Sequence, residues 1–269
     1  MNAQKKLKSR IEKGFHVCVG LDTDLNKIPE HLRSSKNPVT EFNKIIIEST
    51  YNYTAAYKIN FAFYEKDGTK GLDNILETLS YLPDSEILTI GDAKRGDIGN
   101  TSKMYAQSVF DHFNFDSITV NPYMGFDSVE PFLTYNDKLI FILALTSNPG
   151  SKDFEKLKLA DGNYLYQTVI NTVNSWNVNK NCGLVFGATN LSELTENINA
   201  FGELPILLPG IGAQGGDLEG VVKTFLSNNN HNYIINVSRA LIYCDSSESF
   251  AQKVKGSIQE LNESISKII

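Results

Sequence analysis

The sequence predicts an α/β protein folded as a (β/α)8 barrel, the TIM-barrel architecture. Eight short apolar runs recur along its 269 residues, with stretches of helical character between them. The runs are rich in Val, Ile, Leu and Phe and do not alternate with polar residues, which is typical of parallel strands covered on both faces. Strand and helix therefore alternate eight times, and this count favours a closed barrel over its main alternative, an open doubly wound sheet.

The predicted elements follow one another in a regular order. The strands are Phe15–Gly20, Ala55–Asn60, Ile87–Asp92, Ser117–Asn121, Leu139–Leu145, Gly183–Gly187, Pro205–Pro209 and Tyr233–Val237. Apolar residues three and four positions apart predict the helices. These are Phe42–Ile47, Leu72–Leu79, Thr101–Phe113, Ser128–Tyr135, Tyr164–Trp176, Leu191–Phe201, Leu218–Leu226 and Phe250–Ile265. Because no shift in composition marks a boundary, we expect residues 1–269 to form a single barrel domain.

The composition restricts the partners of the protein. Its net charge of −6 predicts a surface that repels nucleic acid and anionic membranes. No apolar run approaches the roughly 20 residues of a membrane span. The cysteines, Cys18, Cys182 and Cys244, are odd in number and far apart, so they predict neither a disulfide framework nor a zinc site. This use of cysteine fits the reducing cytoplasm.

The sequence D-A-K-R-G-D at 92–97 is the most informative feature of the chain. In an extended strand, residues two apart share a face, so Asp92 and Lys94 are expected to project together, with Asp97 just beyond them. Such charges lose hydration at the tip of a buried strand and are tolerated only when paired and hydrogen-bonded. The pattern therefore predicts a functional cluster at the end of strand three.

Other polar residues follow the remaining predicted strands, at the edge where barrel enzymes carry their active sites. They are Asp22, Lys58, Asn60, Asn121, Thr146–Asn148 and Ser238–Arg239. With 92–97, Asp22 and Lys58 predict a chain of three carboxylates and two ammonium groups. The segment Ser147–Leu159 after strand five is either a mobile loop over the site or a solvated connection.

The segment Pro209–Gly216 after strand seven is rich in glycine and contains the pattern G-x-G-x-x-G. A dinucleotide site is disfavoured because the pattern lies late in the chain and no carboxylate follows about 20 residues on. In barrels, the loops after strands seven and eight commonly bind phosphate through backbone N–H groups and an arginine. We therefore predict Gln214 and Arg239 as phosphate ligands. The alternative is a tight loop that needs glycine for its dihedral angles.

Taken together, these residues resemble a known family. Asp22, Lys58, D-x-K-x-x-D at 92–97, P-G-I-G-A-Q-G-G at 209–216 and Ser238–Arg239 occur in the order found in the orotidine 5′-phosphate decarboxylase family. The form D-A-K-R-G-D-I-G-N-T at 92–101 is similar to the second bacterial subfamily. The resemblance implies cofactor-independent decarboxylation of orotidine 5′-phosphate to UMP, the last step of de novo pyrimidine nucleotide synthesis.

The resemblance also implies roles for individual residues of the charged cluster. Lys94 is expected to protonate C6 of the pyrimidine, and Asp92 to lie beside the substrate carboxylate. Lys58 is expected to order the charges and contact the ribose, with Asp22 nearby. Ser147 is expected to contact the pyrimidine.

Family members are homodimers with active sites at the subunit boundary. Asp97, Ile98 and Thr101 are therefore expected to reach into the neighbouring subunit's site. Because no motif for pyridoxal phosphate, thiamine or a metal is present, we expect no cofactor and no metal. Two alternatives stay open: a magnesium-dependent sugar-phosphate decarboxylase or aldolase on the same barrel, and a phosphate-ligand binding module without activity.

Overall fold

The computed structural model describes residues 1–82, 86–211 and 216–268, and in these residues eight parallel strands close into a barrel. Each strand pairs with the next in the chain, and β8 returns to β1 with Val17 beside Ile235. The strands are β1 Val17–Gly20, β2 Ala56–Asn60, β3 Leu88–Arg95, β4 Ser117–Val120, β5 Leu139–Leu145, β6 Cys182–Phe186, β7 Ile206–Pro209 and β8 Tyr233–Val237. The predicted barrel is confirmed.

Helices surround the barrel, most of them on its outside, and bury apolar residues. In the described part of the chain they are α1 Ala3–Glu12, α2 Pro38–Thr50, α3 Ala62–Glu65, α4 Gly68–Ser80, α5 Gly99–Gln107, α6 Phe126–Leu133, α7 Leu165–Trp176, α8 Leu191–Asn197, α9 Leu218–Ser227, α10 Arg239–Ile242 and α11 Phe250–Ser266. The face of α2 shows the packing, because Phe42 and Ile46 are fully buried and the Phe42 ring stacks on Phe250 of α11. Such burial drives the helices onto the sheet.

Helix α1 was not predicted from the sequence, and it closes the amino-terminal mouth of the barrel. Ala3 and Leu7 are buried in the barrel interior with Ile11 packed against them, and polar contacts with the starts of the strands add to this apolar face. The Lys6 ammonium lies 2.8 Å from the Asp116 carboxylate before β4, and Arg10 Nε donates to the Thr54 carbonyl before β2 at 2.7 Å. Ala3, Leu7 and Ile11 recur every four residues, but they are the only apolar residues of the helix, and this short pattern was not enough to predict it.

The barrel interior is apolar toward the amino-terminal ends of the strands, its lower part, and polar toward their carboxyl ends, its upper part. A buried cluster fills the lower interior with inward-facing side chains, which include Cys18, Ala56, Leu88, Ile90, Leu139, Phe141, Val185, Leu207 and Ile234. Inward positions recur every second residue along a strand. On β2 and β3, the next inward positions toward the carboxyl ends are Lys58 and Asp92. The packed lower layers therefore form a rigid floor under these charged side chains.

Candidate active site

Four charged side chains meet at the carboxyl ends of β1, β2 and β3. Lys58 Nζ lies 2.9 Å from Asp92 Oδ2, and Lys94 Nζ lies 2.6 Å from Asp92 Oδ1. Asp22, two residues after β1, places Oδ1 3.6 Å from Lys58 Nζ. The structure thus places carboxylates and ammonium groups in an alternating row, Asp22–Lys58–Asp92–Lys94.

The two lysines of this row differ sharply in exposure. The Lys58 side chain is 5% exposed, and the Asp92 side chain between the lysines is 9% exposed. The Lys94 side chain is 49% exposed, so its ammonium group is the one that solvent or a ligand can reach. A buried charge is tolerated only with close partners, and Lys58 has them on two sides.

The pKa values of the buried pair follow from their mutual attraction. Burial by itself lowers the pKa of Lys58, but the neighbouring Asp92 and Asp22 carboxylates outweigh it and raise that pKa. Burial by itself raises the pKa of Asp92, but Lys58 and Lys94 together hold it well below its usual range. Both groups are therefore ionised at neutral pH, which fixes opposite charges at the floor of the site.

A bulge in β3 brings Asp92 and Lys94 together, and the sequence did not predict it. Pairing with β4 runs from Gly91 opposite Ile118 directly to Arg95 opposite Val120. Three residues of β3 therefore lie against one residue of β4, and Lys94 adopts a positive φ of 44°. Bulges of this kind re-aim side chains beside active sites. The expected proximity of Asp92 and Lys94 is present, but bulged rather than regular extended backbone produces it.

A cavity of about 460 Å³ opens above the charged row. Leu143, Val185 and Leu207 provide apolar surface from β5, β6 and β7, and Thr146–Asn148 lie at the rim. The exposed Arg239 lines the cavity on the β8 side, at the first residue of α10. This volume and this mixture of apolar wall and convergent polar groups are typical of small-molecule sites.

The predicted site residues divide into two groups in the structure. Those that line the cavity are Asp22, Lys58, Asp92, Lys94, Ser147 and Arg239. In the described part of the chain, Asp97, Ile98 and Thr101 are not among its lining residues. Ile98 is instead 56% exposed, and Asp97 Oδ1 accepts a hydrogen bond from the Ile98 N–H at 2.8 Å. The predicted phosphate ligand Gln214 lies outside the described residues.

The segment after β5 is bonded to the rim of the barrel. A short 3-10 helix covers Pro149–Asp153, and Glu155 then accepts hydrogen bonds from the Thr146 N–H at 2.7 Å and from its hydroxyl. Lys156 Nζ donates to Asn190 Oδ1 at 3.0 Å. These contacts give the segment specific anchors to the residues after β5 and β6, which sequence spacing alone did not reveal.

Sequence reasoning missed several residues of this site, namely Thr119, Leu143, Val185, Leu207 and Asn236. All of them lie on strands at inward positions near the carboxyl ends. Their only sequence signal was this position, because none belongs to a motif or carries a charge. Among residues 1–82, 86–211 and 216–268, no three His, Cys, Asp or Glu side chains are grouped as a metal ion would need. No helix in these ranges is long and apolar enough to cross a bilayer.

A closed parallel barrel with a row of fixed charges at the carboxyl ends of its strands is the arrangement of a (β/α)8-barrel enzyme. The model of the orotidine 5′-phosphate decarboxylase / HUMPS family matches residues 16–254. A protein named orotidine 5′-phosphate decarboxylase from Christiangramia forsetii is 48% identical over 256 residues, covering 94% of this chain and 93% of that protein. The chain therefore belongs to the orotidine 5′-phosphate decarboxylase / HUMPS family.

Solved structures are also similar to this chain. The structure of Leishmania donovani OMP decarboxylase is similar with a TM-score of 0.81 and 36% identity, covering 98% of this chain and 100% of that chain. The structure of Leishmania donovani UMP synthase is similar with a TM-score of 0.87 and 39% identity, covering 100% of this chain. This chain spans 56% of that longer protein.

Proposed function

We propose that the protein is a carboxy-lyase that converts orotidine 5′-phosphate to UMP and CO2, the last step of de novo pyrimidine nucleotide synthesis. The observation that carries this proposal is the row Asp22–Lys58–Asp92–Lys94, whose one half-exposed ammonium group opens into the cavity. The family relationship supplies the substrate. We further propose that residues 1–269 form one domain that acts in the cytoplasm.

In the proposed reaction Lys94 is the proton donor. Loss of CO2 from C6 leaves an electron pair in the plane of the ring, where the ring π-system does not delocalise it. A fixed positive charge stabilises that pair, and a positioned acid then protonates it. Lys94 combines the two functions, because its ammonium group is held 2.6 Å from Asp92 while half of the side chain stays exposed.

Asp92 and the phosphate ligands act on the substrate before the bond breaks. Asp92 is held ionised by Lys58 and Lys94, so it repels a substrate carboxylate placed beside it. That repulsion disappears as CO2 leaves. Binding of the phosphate by Arg239, and of the pyrimidine by Ser147, holds the ring against the charged row despite the repulsion. The phosphate therefore contributes to the rate although it does not react.

We also propose that the protein is a homodimer whose subunits share their active sites. Large apolar side chains are exposed on α5 and the residue before it, and on the first residue of α6 and the segment leading into it. Ile98 is 56% exposed, Met104 48%, Tyr123 76%, Met124 45% and Phe126 44%. Several large exposed apolar side chains on neighbouring elements are the composition expected of a protein interface. Asp97 and Thr101 lie within three residues of Ile98 and are then available to a neighbouring subunit.

The test of the reaction is the loss of absorbance at the orotate band with orotidine 5′-phosphate as the substrate. Lys94→Ala should abolish turnover, whereas Lys223→Ala should not, because that lysine is exposed on α9 and pairs with Glu219 of the same helix. Appreciable decarboxylation by Lys94→Ala would assign the proton donor to another group. Activity lost on incubation with EDTA would favour a magnesium-dependent sugar-phosphate enzyme instead.

The shared site can be tested by mixing two inactive variants. In the proposed dimer, each site takes Lys94 from one subunit and Asp97 from the other. A mixed dimer of Lys94→Ala and Asp97→Ala therefore has one site that lacks both residues and one site that is intact. Random exchange then restores up to about a quarter of the wild-type activity. Each variant taken alone through the same exchange procedure should recover no activity. Absence of recovery in a mixture proven to exchange subunits would contradict the shared site.

A further inference from the structure

The Thr119 hydroxyl joins the two halves of the bulged segment. Thr119 lies on β4 and is 2% exposed. Its Oγ1 accepts a hydrogen bond from the Lys94 backbone N–H at 3.0 Å. The same hydroxyl donates to Asp92 Oδ1 at 2.9 Å, the oxygen that also receives Lys94 Nζ. A closed ring of contacts therefore runs from the Lys94 backbone through Thr119 to Asp92 and back to the Lys94 ammonium group.

The directions of these hydrogen bonds are fixed by chemistry. A backbone N–H can only donate, and an ionised carboxylate can only accept. The hydroxyl must therefore accept from Lys94 and donate to Asp92, and it satisfies both neighbours at once because a hydroxyl is both a donor and an acceptor. A valine would fill nearly the same volume and has similar strand preference, but it would leave the Lys94 N–H and one Asp92 lone pair without this partner.

The bulge explains why such a contact is needed at this place. Thr119 stands in β4 between Ile118 and Val120, opposite the three residues of β3 that the regular ladder skips. The ladder therefore does not hold the Lys94 backbone, whose positive φ of 44° is unfavourable for a residue with a Cβ atom. The threonine hydroxyl takes the place of the missing ladder acceptor.

We propose that Thr119 is a positioning residue that aims the Lys94 ammonium group and the Asp92 carboxylate at the substrate. The proposal rests on the proposed decarboxylase function. Thr119 acts through its neighbours and not as a binding group. Its loss should therefore lower the rate of the chemical step more than the affinity for substrate, since a shift of about 1 Å in a catalytic group costs up to about 100-fold.

The experiment compares Thr119→Val, which removes only the hydroxyl, with Thr119→Ser, which keeps it. We expect kcat to fall about 10- to 100-fold in Thr119→Val with KM changed less than about threefold. Thr119→Ser should stay within about threefold of the wild-type kcat. Thermal melting of each variant establishes that it is folded under the assay conditions. If Thr119→Val does not fold, Thr119→Ala takes its place, and the comparison with Thr119→Ser again isolates the hydroxyl.

The outcomes distinguish a failure of the positioning role of Thr119 from a failure of the proposed decarboxylase function. Wild-type kcat in Thr119→Val, or an equal loss in the serine and valine variants, would overturn the positioning role while the decarboxylase function stands. A rise in KM with unchanged kcat would also overturn it, because the hydroxyl would then bind substrate directly. If wild-type protein does not decarboxylate orotidine 5′-phosphate, the proposed function itself fails, and the variants are not needed to show it.

Discussion

Replacing Asp92 by Asn should destabilise the fold by about 3 kcal/mol, because it leaves a buried lysine with one partner instead of two. Lys58 is 5% exposed and lies 2.9 Å from Asp92 and 3.6 Å from Asp22. At an effective dielectric of about 20, these attractions are about 6 and 5 kcal/mol respectively. Removal of one partner of a buried pair typically costs about 3–5 kcal/mol after relaxation. Because Asp22 remains, the lower end of this range is expected.

The assay is urea unfolding at pH 7, supported by thermal melting. A loss of about 3 kcal/mol in a chain of this size corresponds to a fall of roughly 6–12 °C in Tm. The matched control is Lys94→Ala, which removes the other ion pair of Asp92. Since the Lys94 side chain is 49% exposed, its loss should cost less than about 1 kcal/mol.

A double variant separates charge burial from packing. Lys58→Met combined with Asp92→Asn removes both members of the buried pair, so no uncompensated lysine is left. The double variant should be more stable than Asp92→Asn alone, since a buried ion pair can be replaced by neutral groups at little cost. Wild-type stability of Asp92→Asn would refute the reasoning, as would an equal loss in Lys94→Ala.

Three further predictions concern pH, backbone packing and the phosphate. Burial alone raises the pKa of Asp92, but Lys58 and Lys94 lower that pKa more. The ionised Asp92 therefore stabilises the fold fully above the unfolded pKa of about 3.9, and this stabilisation is lost as the pH falls below that value. The stability difference between wild type and Asp92→Asn should therefore shrink in urea titrations below about pH 4, and a constant difference would contradict this. Gly20→Ala should cost about 1–3 kcal/mol in urea unfolding, because its Cβ atom would lie 2.6 Å from Ser238 Cβ; unchanged stability would exclude this close approach. Arg239→Ala should lower kcat/KM about 100-fold in steady-state assays, and wild-type kcat/KM would remove its phosphate role.

The fold was largely predictable because each strand is buried on both faces. Such strands leave continuous apolar runs in the sequence, and Leu139–Leu145 and Tyr233–Val237 were predicted with the bounds that the structure has. Helix α1 was missed because its apolar face consists of three residues, Ala3, Leu7 and Ile11. It is also held by contacts such as the Lys6–Asp116 ion pair, whose two members are 110 residues apart. The spacing of apolar residues in a sequence predicts a long buried face, but it does not predict ion pairs between residues far apart in the chain.

The candidate site was predictable where it depends on strand order and unpredictable where it depends on irregular backbone. Lys58 and Asp92 face inward because Ala56, Leu88 and Ile90 do, and alternation fixes all of them. The bulge after Asp92 breaks this alternation, and no residue in the sequence marks it. The contribution of Thr119 follows from the bulge and was therefore missed.

The order of charges along the row explains why two lysines are present. In the proposed reaction, Lys94 gives up a proton and becomes neutral, so Asp92 loses one of its two cationic partners at that moment. Lys58 remains 2.9 Å from Asp92, and its side chain is only 5% exposed, so little water competes for it. Asp92 therefore stays ionised through the whole reaction without rearrangement of its neighbours. Fixed charges that need no reorganisation are the main source of electrostatic catalysis. The buried lysine thus maintains the field, and the exposed lysine is free to supply the proton.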